Sequence, residues 1–335
     1  MANKKCGRQT VCFEHPPVIL ASANVVGKKE GEGPLASYFD TISQDDKFGQ
    51  ASWEKAESEM QKGALSAALN KAALSAAELD YLLAGDLLNQ CISSSFAARG
   101  QDIPFLGLYG ACSTMGESLL LASMLLDGGF GRYAAAVTSS HFCSAERQYR
   151  TPLQYGGQRP PTAQWTATAA GAVIQGTEGQ GPRVTHATVG KIVDKGITDA
   201  NNMGAAMAPA AYDTISTHFQ DTGRTPGDYD LIVTGDLGKL GSEIIRDFFK
   251  KDGMELKHYN DCGLLLFDTE KQDVHCGGSG CGCAASVLTG YLMKGLKSGQ
   301  WKKILFCPTG ALLSPTSTMQ GESIPSVCHA VVIEA

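Results

Sequence analysis

The sequence predicts an α/β protein built from two similar halves, in which parallel sheets are covered by helices on both faces. The segments 79–87 and 229–237 share one order: aspartate, apolar run, small residue, then Gly-Asp-Leu. An alanine-rich amphipathic helix is predicted before each segment, over 53–73 and 203–221. A glycine-rich turn, a helix and a strand follow each copy, at 110–116, 117–126 and 133–138 in the first half and at 277–282, 283–296 and 303–307 in the second. This ordered repeat predicts two sheet layers related by a pseudo-twofold axis.

The length and composition of the chain fit a two-part organisation. The chain has 335 residues, against about 150 for one typical domain, and 43% hydrophobic residues suffice for a large core. We expect an N-terminal half over 1–180 and a C-terminal half over 181–335. The first half carries Cys112 and a long polar connection over 145–161.

Charge and hydropathy exclude several classes of protein. The net charge is −6, and no lysine or arginine cluster could follow a phosphate backbone, so nucleic acid is not expected as a partner. The longest strongly apolar stretch, 119–126, is far shorter than the roughly 20 residues of a membrane-spanning helix. The basic N-terminus is followed by polar residues at 13–16 where a signal peptide would have an apolar region. We therefore expect neither a transmembrane segment nor a signal peptide, and a protein kept inside the cell.

The cysteines and the glycine-rich segments do not form a recognisable cofactor site. The 11 cysteines are odd in number and have no CxxC spacing, which favours reduced thiols in the core. Four metal-binding residue types lie close together, namely His275, Cys276, Cys281 and Cys283, but their spacing does not fit a zinc site. The segment 278–282 lacks the GxGxxG register and the acidic residue of a dinucleotide site. We expect no metal and no cofactor.

Cys112 is the most prominent candidate for a functional residue. It lies in 105–116, where an apolar strand-like run ends in a turn of small residues and a helix begins near Glu117. Backbone N–H groups at the start of a helix lack intrahelical partners and carry partial positive charge. They can stabilise a thiolate, an oxyanion or a carboxylate. This elbow therefore predicts either a nucleophile or an anion-binding position.

The arrangement of a cysteine elbow in the first repeat only resembles the thiolase-like superfamily of thiolases and 3-ketoacyl-acyl-carrier-protein synthases. Longer strings narrow the resemblance to the stage V sporulation protein AD family of spore-forming Firmicutes. These strings are 13–16, 83–90, 109–114, 138–141, 207–211, 277–281 and 309–315. The resemblance covers nearly the whole chain and implies a five-layer α/β/α/β/α thiolase-like fold.

The same resemblance implies a function and a set of partners. The family would be the soluble component of a channel system that moves dipicolinic acid across the inner spore membrane, in sporulation and in germination. It implies binding of pyridine-2,6-dicarboxylate or its calcium chelate and a peripheral location at the spore inner membrane. Integral-membrane proteins of the same system are implied as partners, and the superfamily implies a homodimer through first-half strands.

Departures from the condensing enzymes argue against catalysis. Those enzymes combine a thiolate with two polar side chains, usually His and His or Asn. Here Gly235 and Asp236 stand where a histidine turn is expected, and Cys281 stands at the asparagine position. Pro325 lies in the loop that would complete an oxyanion hole and contributes no N–H. We therefore expect no catalytic residues. A thiolase or ketoacyl synthase acting through Cys112, and a ligand-free scaffold or plug for a membrane partner, are the alternatives.

The dipicolinate interpretation assigns each candidate residue a role. The helix start at Cys112 would supply N–H donors for one carboxylate. Lys239, Ser279 and His141 are candidates for the other end of the ligand, with Asp236 orienting Lys239 and Cys281 beside the pocket. His141 has a plain alternative, a loop histidine bonded to backbone.

The connection over 145–161 is the remaining candidate. It contains three arginines, Arg147, Arg150 and Arg159, together with two tyrosines and three prolines. Arginine pairs with carboxylates and tyrosine stacks on aromatic rings, so this connection is a candidate for ligand contacts. The alternative is a surface or dimer-contact excursion.

Overall fold

The computed structural model of the chain describes residues 4–149 and 159–335. Its strands are β1 (Thr10–Cys12), β2 (Val18–Val26), β3 (Thr41–Ile42), β4 (Tyr81–Gly85), β5 (Phe105–Gly107), β6 (Tyr133–Ser140), β7 (Trp165–Thr166), β8 (Ala169–Gly176), β9 (Arg183–Thr188), β10 (Leu231–Thr234), β11 (Tyr259–Asp261), β12 (Gly278–Ser279), β13 (Lys303–Cys307), β14 (Thr309–Ala311), β15 (Ser326–Cys328) and β16 (Ala330–Glu334). Its helices are α1 (Lys28–Gly31), α2 (Trp53–Ala72), α3 (Ile92–Ala98), α4 (Thr114–Asp127), α5 (Phe142–Tyr149), α6 (Met203–Thr222), α7 (Gly238–Lys251), α8 (Cys262–Leu266), α9 (Cys281–Val287), α10 (Met293–Ser298) and α11 (Pro315–Met319). A π-helical turn, Leu288–Leu292, joins α9 to α10.

The strand order repeats between the two halves, which confirms the duplication. The first half has the order β5-β4-β6-β8-β2 and the second has β11-β10-β13-β16-β9. In each half the three strands at one end run parallel, β4 with β5 and β6, and β10 with β11 and β13. The two arrays meet where Val18 of β2 pairs with Arg183 of β9.

The prediction of purely parallel sheets is wrong, because each half also contains antiparallel pairs. Strand β8 runs antiparallel to β6 and β2, and β16 runs antiparallel to β13 and β9. A parallel neighbour requires a crossover connection, usually a helix packed on the sheet. The chain between β6 and β8 holds the short helix α5 and β7. Between β13 and β16 it holds the antiparallel pair β14–β15 and the short helix α11.

Helices cover the two arrays in layers, which confirms the thiolase-like architecture. Helix α4 contacts strands of both halves, β6 and β16 among them, and α9 packs on β6, β8 and α4, so these helices form the middle layer. Helix α2, with α3 against it, covers β2 and β8 from outside. Helix α6, with α7 against it, covers β16 and β9. The largest apolar core contains side chains of both halves, such as Leu119 and Val331. The division at residue 180 stays a prediction.

The two longest helices, α2 and α6, begin and end within one residue of the predicted positions. The Ser52 hydroxyl accepts a hydrogen bond from the Lys55 N–H and caps α2, and the Asn202 side chain caps α6 in the same way. Helix α6 ends at Thr222, and the next residue, Gly223, adopts a φ of 67° that favours glycine. Among the described residues, no helix has both the length and the apolar character needed to cross a membrane.

The polar connection predicted over 145–161 is partly wrong, because its first residues belong to a helix. Helix α5 ends at Tyr149 and buries Ser144, Ala145 and Glu146, so one helical face packs inward. Arg150 and the rest of 150–158 lie outside the described residues.

Candidate functional site

Cys112 lies in a tight turn that leads directly into α4. The turn, Ala111–Ser113, precedes Thr114, the first residue of the helix, so the helix begins three residues earlier than predicted. Ala111 adopts a φ of 49°, a backbone conformation that costs energy for a residue with a side chain. Strand β14 packs closely on the turn, because a Cβ atom at Gly310 would lie 2.1 Å from the Gly110 carbonyl oxygen. The turn is therefore held by structure from the second half.

A cavity of about 220 Å³ opens at Cys112 and is lined by both halves of the chain. The first half contributes Leu87, Tyr109, Ala111, Ala145 and Tyr149, and the second contributes Asn201, Ser279, Ala311 and Leu313. The Tyr109 and Tyr149 hydroxyls are 2.9 Å apart, and the Tyr149 hydroxyl donates to the Leu87 carbonyl. Tyr149 was predicted only as part of a loop. Its i+4 spacing from Ala145 is the helical signal that would have placed both on one face.

Asp236 lies beneath this cavity in a closed hydrogen-bond network. The carboxylate is fully buried, and its Oδ2 accepts from the Ser279 hydroxyl at 2.9 Å and the Gly280 N–H at 3.2 Å. Its Oδ1 accepts from the Thr309 hydroxyl at 2.8 Å. The Ser279 oxygen is 3.8 Å from the Cys112 sulfur. The thiol, the serine hydroxyl and the carboxylate therefore form a chain that runs downward from the cavity.

The surroundings of Cys112 keep its thiol neutral. Burial raises the pKa of the Cys112 thiol well above its ordinary value, and the negative charge of Asp236 raises it further. Burial also raises the pKa of the Asp236 carboxyl. An activated nucleophilic cysteine requires the opposite, a neighbouring cation or base that lowers the pKa. Among the described residues that line the cavity, there is no lysine, arginine or histidine.

Cys281 lies next to Cys112, at the start of α9. Its thiol donates to the Ser139 carbonyl oxygen at 2.9 Å, and the side chain is fully buried. It packs with Cys112, Leu87 and Ala145 in a small apolar cluster. Cys281 therefore shapes the wall beside the turn, while its proton is engaged by the backbone of β6.

The structure does not bring His141 to this cavity. The His141 side chain is buried, and its Nε2 is 2.7 Å from the Asp46 carbonyl oxygen. Its Nδ1 accepts from the Cys143 N–H at 3.1 Å, so the ring hydrogen lies on Nε2 and is donated to Asp46. Burial lowers the pKa of His141, which favours the neutral ring. His141 lines a separate cavity of about 460 Å³.

Lys239 also lies outside the cavity at Cys112. It is the second residue of α7 and is exposed, and its backbone N–H donates to the Cys276 carbonyl at 2.8 Å. The expected orientation of Lys239 by Asp236 is wrong. The Asp236 carboxylate instead accepts from Ser279, Gly280 and Thr309, and within the described residues it forms no ion pair with Lys239.

Asp261, which the sequence interpretation missed, holds the loop that carries Asp236. Its Oδ1 accepts from the N–H groups of Gly238 and Gly263, each at 3.0 Å. Its Oδ2 accepts from the Leu237 N–H at 2.9 Å and the Thr234 hydroxyl at 2.6 Å. The available signal was its place at the end of β11, beside the end of β10 in the same sheet.

A second buried carboxyl, Glu57 of α2, supports the wall formed by α5. Its Oε1 accepts from the Ser139 hydroxyl at 3.0 Å, and its Oε2 lies 2.7 Å from the Ser144 hydroxyl oxygen. Burial raises the pKa of Glu57 to about 8, and the negative charge of Asp86 contributes to the shift. Glu57 therefore links α2, β6 and α5 and holds a proton over much of the neutral range.

We expect this raised pKa to make the protein less stable as pH rises. The folded state binds the Glu57 proton more tightly than the unfolded chain, whose glutamate pKa is about 4.3. The free energy of unfolding should fall between about pH 5 and pH 8, by at most about 1.4 kcal/mol per pH unit for one proton. Urea denaturation should show a smaller fall for Glu57→Gln than for the unmodified protein. An identical fall in both would contradict the assignment, and the exposed Glu59→Gln on the same helix is the control.

Metal-binding residue types do not assemble into a site in the described parts of the chain. Over 4–149 and 159–335, no group of three or more His, Cys, Asp or Glu side chains is arranged to hold a metal ion. The 11 cysteines are all free thiols.

Solved structures share this fold at low sequence identity. A variant of OleA from Xanthomonas campestris has a TM-score of 0.61 and 14% identity, with 97% of this chain and 99% of that chain covered. The 3-oxoacyl-(acyl-carrier-protein) synthase III from Aquifex aeolicus VF5 has a TM-score of 0.57 and 14% identity, with 95% and 100% covered. These similarities show the thiolase-like fold and no more.

Sequence comparison identifies the family. The stage V sporulation protein AD (SpoVAD) family matches residues 7–334. The stage V sporulation protein AD of Bacillus subtilis (strain 168) is 48% identical over 333 residues, which cover 99% of this chain and 98% of that protein. The chain therefore belongs to the stage V sporulation protein AD family.

Proposed function

We propose that this protein binds dipicolinic acid, as pyridine-2,6-dicarboxylate or its calcium chelate, without turning it over chemically. It would act as the peripheral component of a channel system at the spore inner membrane, in uptake during sporulation and release in germination. Integral-membrane proteins of that system would be its partners. The observation that carries the proposal is the cavity at Cys112, whose thiol is kept neutral and whose chemistry suits binding.

The shape and donors of the cavity support a small aromatic acid as ligand. A volume of about 220 Å³ is suited to a single-ring compound, and the rings of Tyr109 and Tyr149 offer apolar surface beside it. The 14-residue helix α4 begins just after Cys112 and directs its N-terminal N–H groups toward the Cys112 end of the cavity. One carboxylate of the ligand would be held there by charge-assisted hydrogen bonds.

The residues that stand in place of the condensing enzymes' polar side chains favour ligand binding over a condensation reaction. Asp236 lies beneath the cavity where the enzymes would have a histidine turn, and it makes the Cys112 thiolate harder to form. Cys281 donates its thiol proton to the β6 backbone, so it offers no amide group to an oxyanion. These two features support the proposal that Cys112 does not carry out acyl transfer.

We expect calorimetry with dipicolinate to show saturable binding to the purified protein. Acetyl- and malonyl-thioesters should not be turned over, and iodoacetamide should label Cys112 slowly at neutral pH because the thiol is protonated. The absence of any dipicolinate binding would favour the scaffold alternative. Thioester turnover that is lost in a Cys112→Ser variant would favour the enzyme alternative.

We also propose that the protein is a homodimer through the edge of the first sheet. Within the described residues, β5 pairs only with β4, which leaves its other edge open. Leu106 on this strand, together with Tyr109 just after it, is more than two-fifths exposed, as is Phe96 of α3. A second copy could extend the sheet and cover these side chains. Sedimentation of the protein as a monomer at micromolar concentration would contradict this pairing.

A further inference from the structure

Gln164 lines the cavity at Cys112 and has a fixed orientation. Its side chain is buried, with 3% exposed, and its Nε2 donates to the Asp236 carbonyl at 2.5 Å and the Gly278 carbonyl at 3.2 Å. Only the amide nitrogen can donate to two carbonyl oxygens, so the nitrogen and oxygen ends of this side chain are not interchangeable. The amide oxygen, Oε1, is buried and has no hydrogen-bond partner in the described structure.

An unpaired acceptor of this kind has an energetic consequence for a ligand. A buried acceptor without a donor has lost its hydrogen bond to water, and a ligand that supplies an O–H or N–H replaces that bond. A ligand that presents only acceptors gains nothing here and places its own lone pairs near Oε1. Gln164 therefore favours a ligand with a hydrogen-bond donor.

The buried carboxyl group of Asp236 acts in the same direction. It lies beneath the cavity, and the Asp236 backbone carbonyl accepts from Gln164. Among the described lining residues, Glu146 also carries a carboxyl group. Arg159 donates to the Gln164 backbone carbonyl and lies 5.0 Å from the Trp165 ring, a residue that lines the other cavity. A ligand with one negative charge is repelled less by the Asp236 carboxylate than a dianion is.

We propose that the cavity binds its dicarboxylate together with one proton, and that Gln164 Oε1 accepts the hydrogen bond from the protonated carboxyl group. The inference rests on the proposed function and adds a specificity-determining residue to it. A proton from solvent joins the dianion to give a monoanion. The remaining carboxylate then accepts hydrogen bonds from the N–H groups at the start of α4.

The other titratable groups that face this site define the competing explanations. Cys112, Tyr109 and Tyr149 keep their protons at neutral pH, because burial raises the pKa of each. Asp236 and Glu146 are the two groups that could take up a proton in place of the ligand. A test must therefore separate a proton on the ligand from a proton on either carboxyl group.

Calorimetry in two buffers of equal pH and different ionisation enthalpy measures the proton directly. Above the upper pKa of free dipicolinate, we expect binding to take up about one proton and the affinity to fall about tenfold per pH unit. Binding whose heat is the same in both buffers would overturn the proposal. Absence of binding at every pH would instead refute the proposed function, so the two failures are distinguishable.

A modified ligand tests the hydrogen bond without changing the protein. In 6-carbamoylpyridine-2-carboxylate, a permanent amide N–H donor replaces one carboxylate. We expect this monoanion to bind with no proton uptake and with an affinity that stays constant over the pH range in which dipicolinate binding weakens. Proton uptake equal to that with dipicolinate would place the proton on Asp236 or Glu146 and overturn the role of Gln164.

A matched pair of variants tests Gln164 itself. Gln164→Met removes the acceptor at similar length, and we expect about 10-fold weaker dipicolinate binding with reduced proton uptake. Gln175→Met is the control, because Gln175 of β8 is also buried with an unpaired Oε1 but does not line the cavity. Unchanged affinity and proton uptake in a folded Gln164→Met variant would contradict the proposal. If that variant does not fold, the modified ligand decides.

Discussion

Replacing Cys112 with tryptophan is expected to weaken dipicolinate binding by at least about 100-fold, or about 2.7 kcal/mol. The Cys112 side chain faces a cavity of only about 220 Å³, and an indole ring would occupy much of that space. Cys112→Ala should change the affinity only a few-fold. Alanine preserves the turn and the N–H groups at the start of α4, and the neutral thiol contributes no charge to the ligand.

The comparison of the two variants separates the effect of filling the cavity from the effect of removing the sulfur. Calorimetry gives the affinity, and thermal melting shows whether each variant is folded, since an overpacked residue can cost 1–3 kcal/mol of stability, to order of magnitude. Tight binding by a folded Cys112→Trp variant would place the ligand elsewhere in the molecule. Complete loss of binding in a folded Cys112→Ala variant would mean that the sulfur itself holds the ligand.

The fold was largely predictable because the chain contains two copies of one pattern. The helices α2 and α6 and strand β13 lie within a residue or two of the predicted spans, since their amphipathic or apolar runs are long and carry clear caps. The antiparallel direction of β8 and β16 was not predictable from the alternation of strands and helices along the sequence. It depends on whether the preceding connection crosses the sheet face as a helix, and these connections contain short elements instead.

Four candidate site residues share one region, and two do not. Cys112, Asp236, Ser279 and Cys281 follow strands or open helices at the same edge of the sheets, so topology alone brings them together. His141 and Lys239 satisfy the same rule, yet they face elsewhere. The direction of a side chain depends on the exact residue at which the helix begins. The sequence does not predict helix and strand boundaries to within one residue. Which of these residues contact ligand stays a prediction.

The sequence did not identify Gln164 and Asp261, whose side chains bind backbone groups near the site. Gln164 lies just before the short strand β7. Its orientation is set by hydrogen bonds to the backbone carbonyls of Asp236 and Gly278, which are distant in the sequence. Asp261 looks in the sequence like any polar residue at the end of a strand. Its role becomes visible only in the structure, where the segment 234–238 and Gly263 both donate hydrogen bonds to its carboxylate. Its loss has the largest expected effect on stability.

Asp261→Ala is expected to lower the free energy of unfolding by about 3–5 kcal/mol. The fully buried carboxylate accepts four hydrogen bonds, and alanine would leave the N–H groups of Leu237, Gly238 and Gly263 unpaired in the interior, at about 1–3 kcal/mol for each buried donor that stays unsatisfied. Urea denaturation measures the loss. The exposed Asp45→Ala, which also removes an acceptor for backbone N–H groups, should cost much less stability because water replaces the carboxylate there. Equal effects of the two substitutions would show that Asp261 does not organise the loop that carries Asp236.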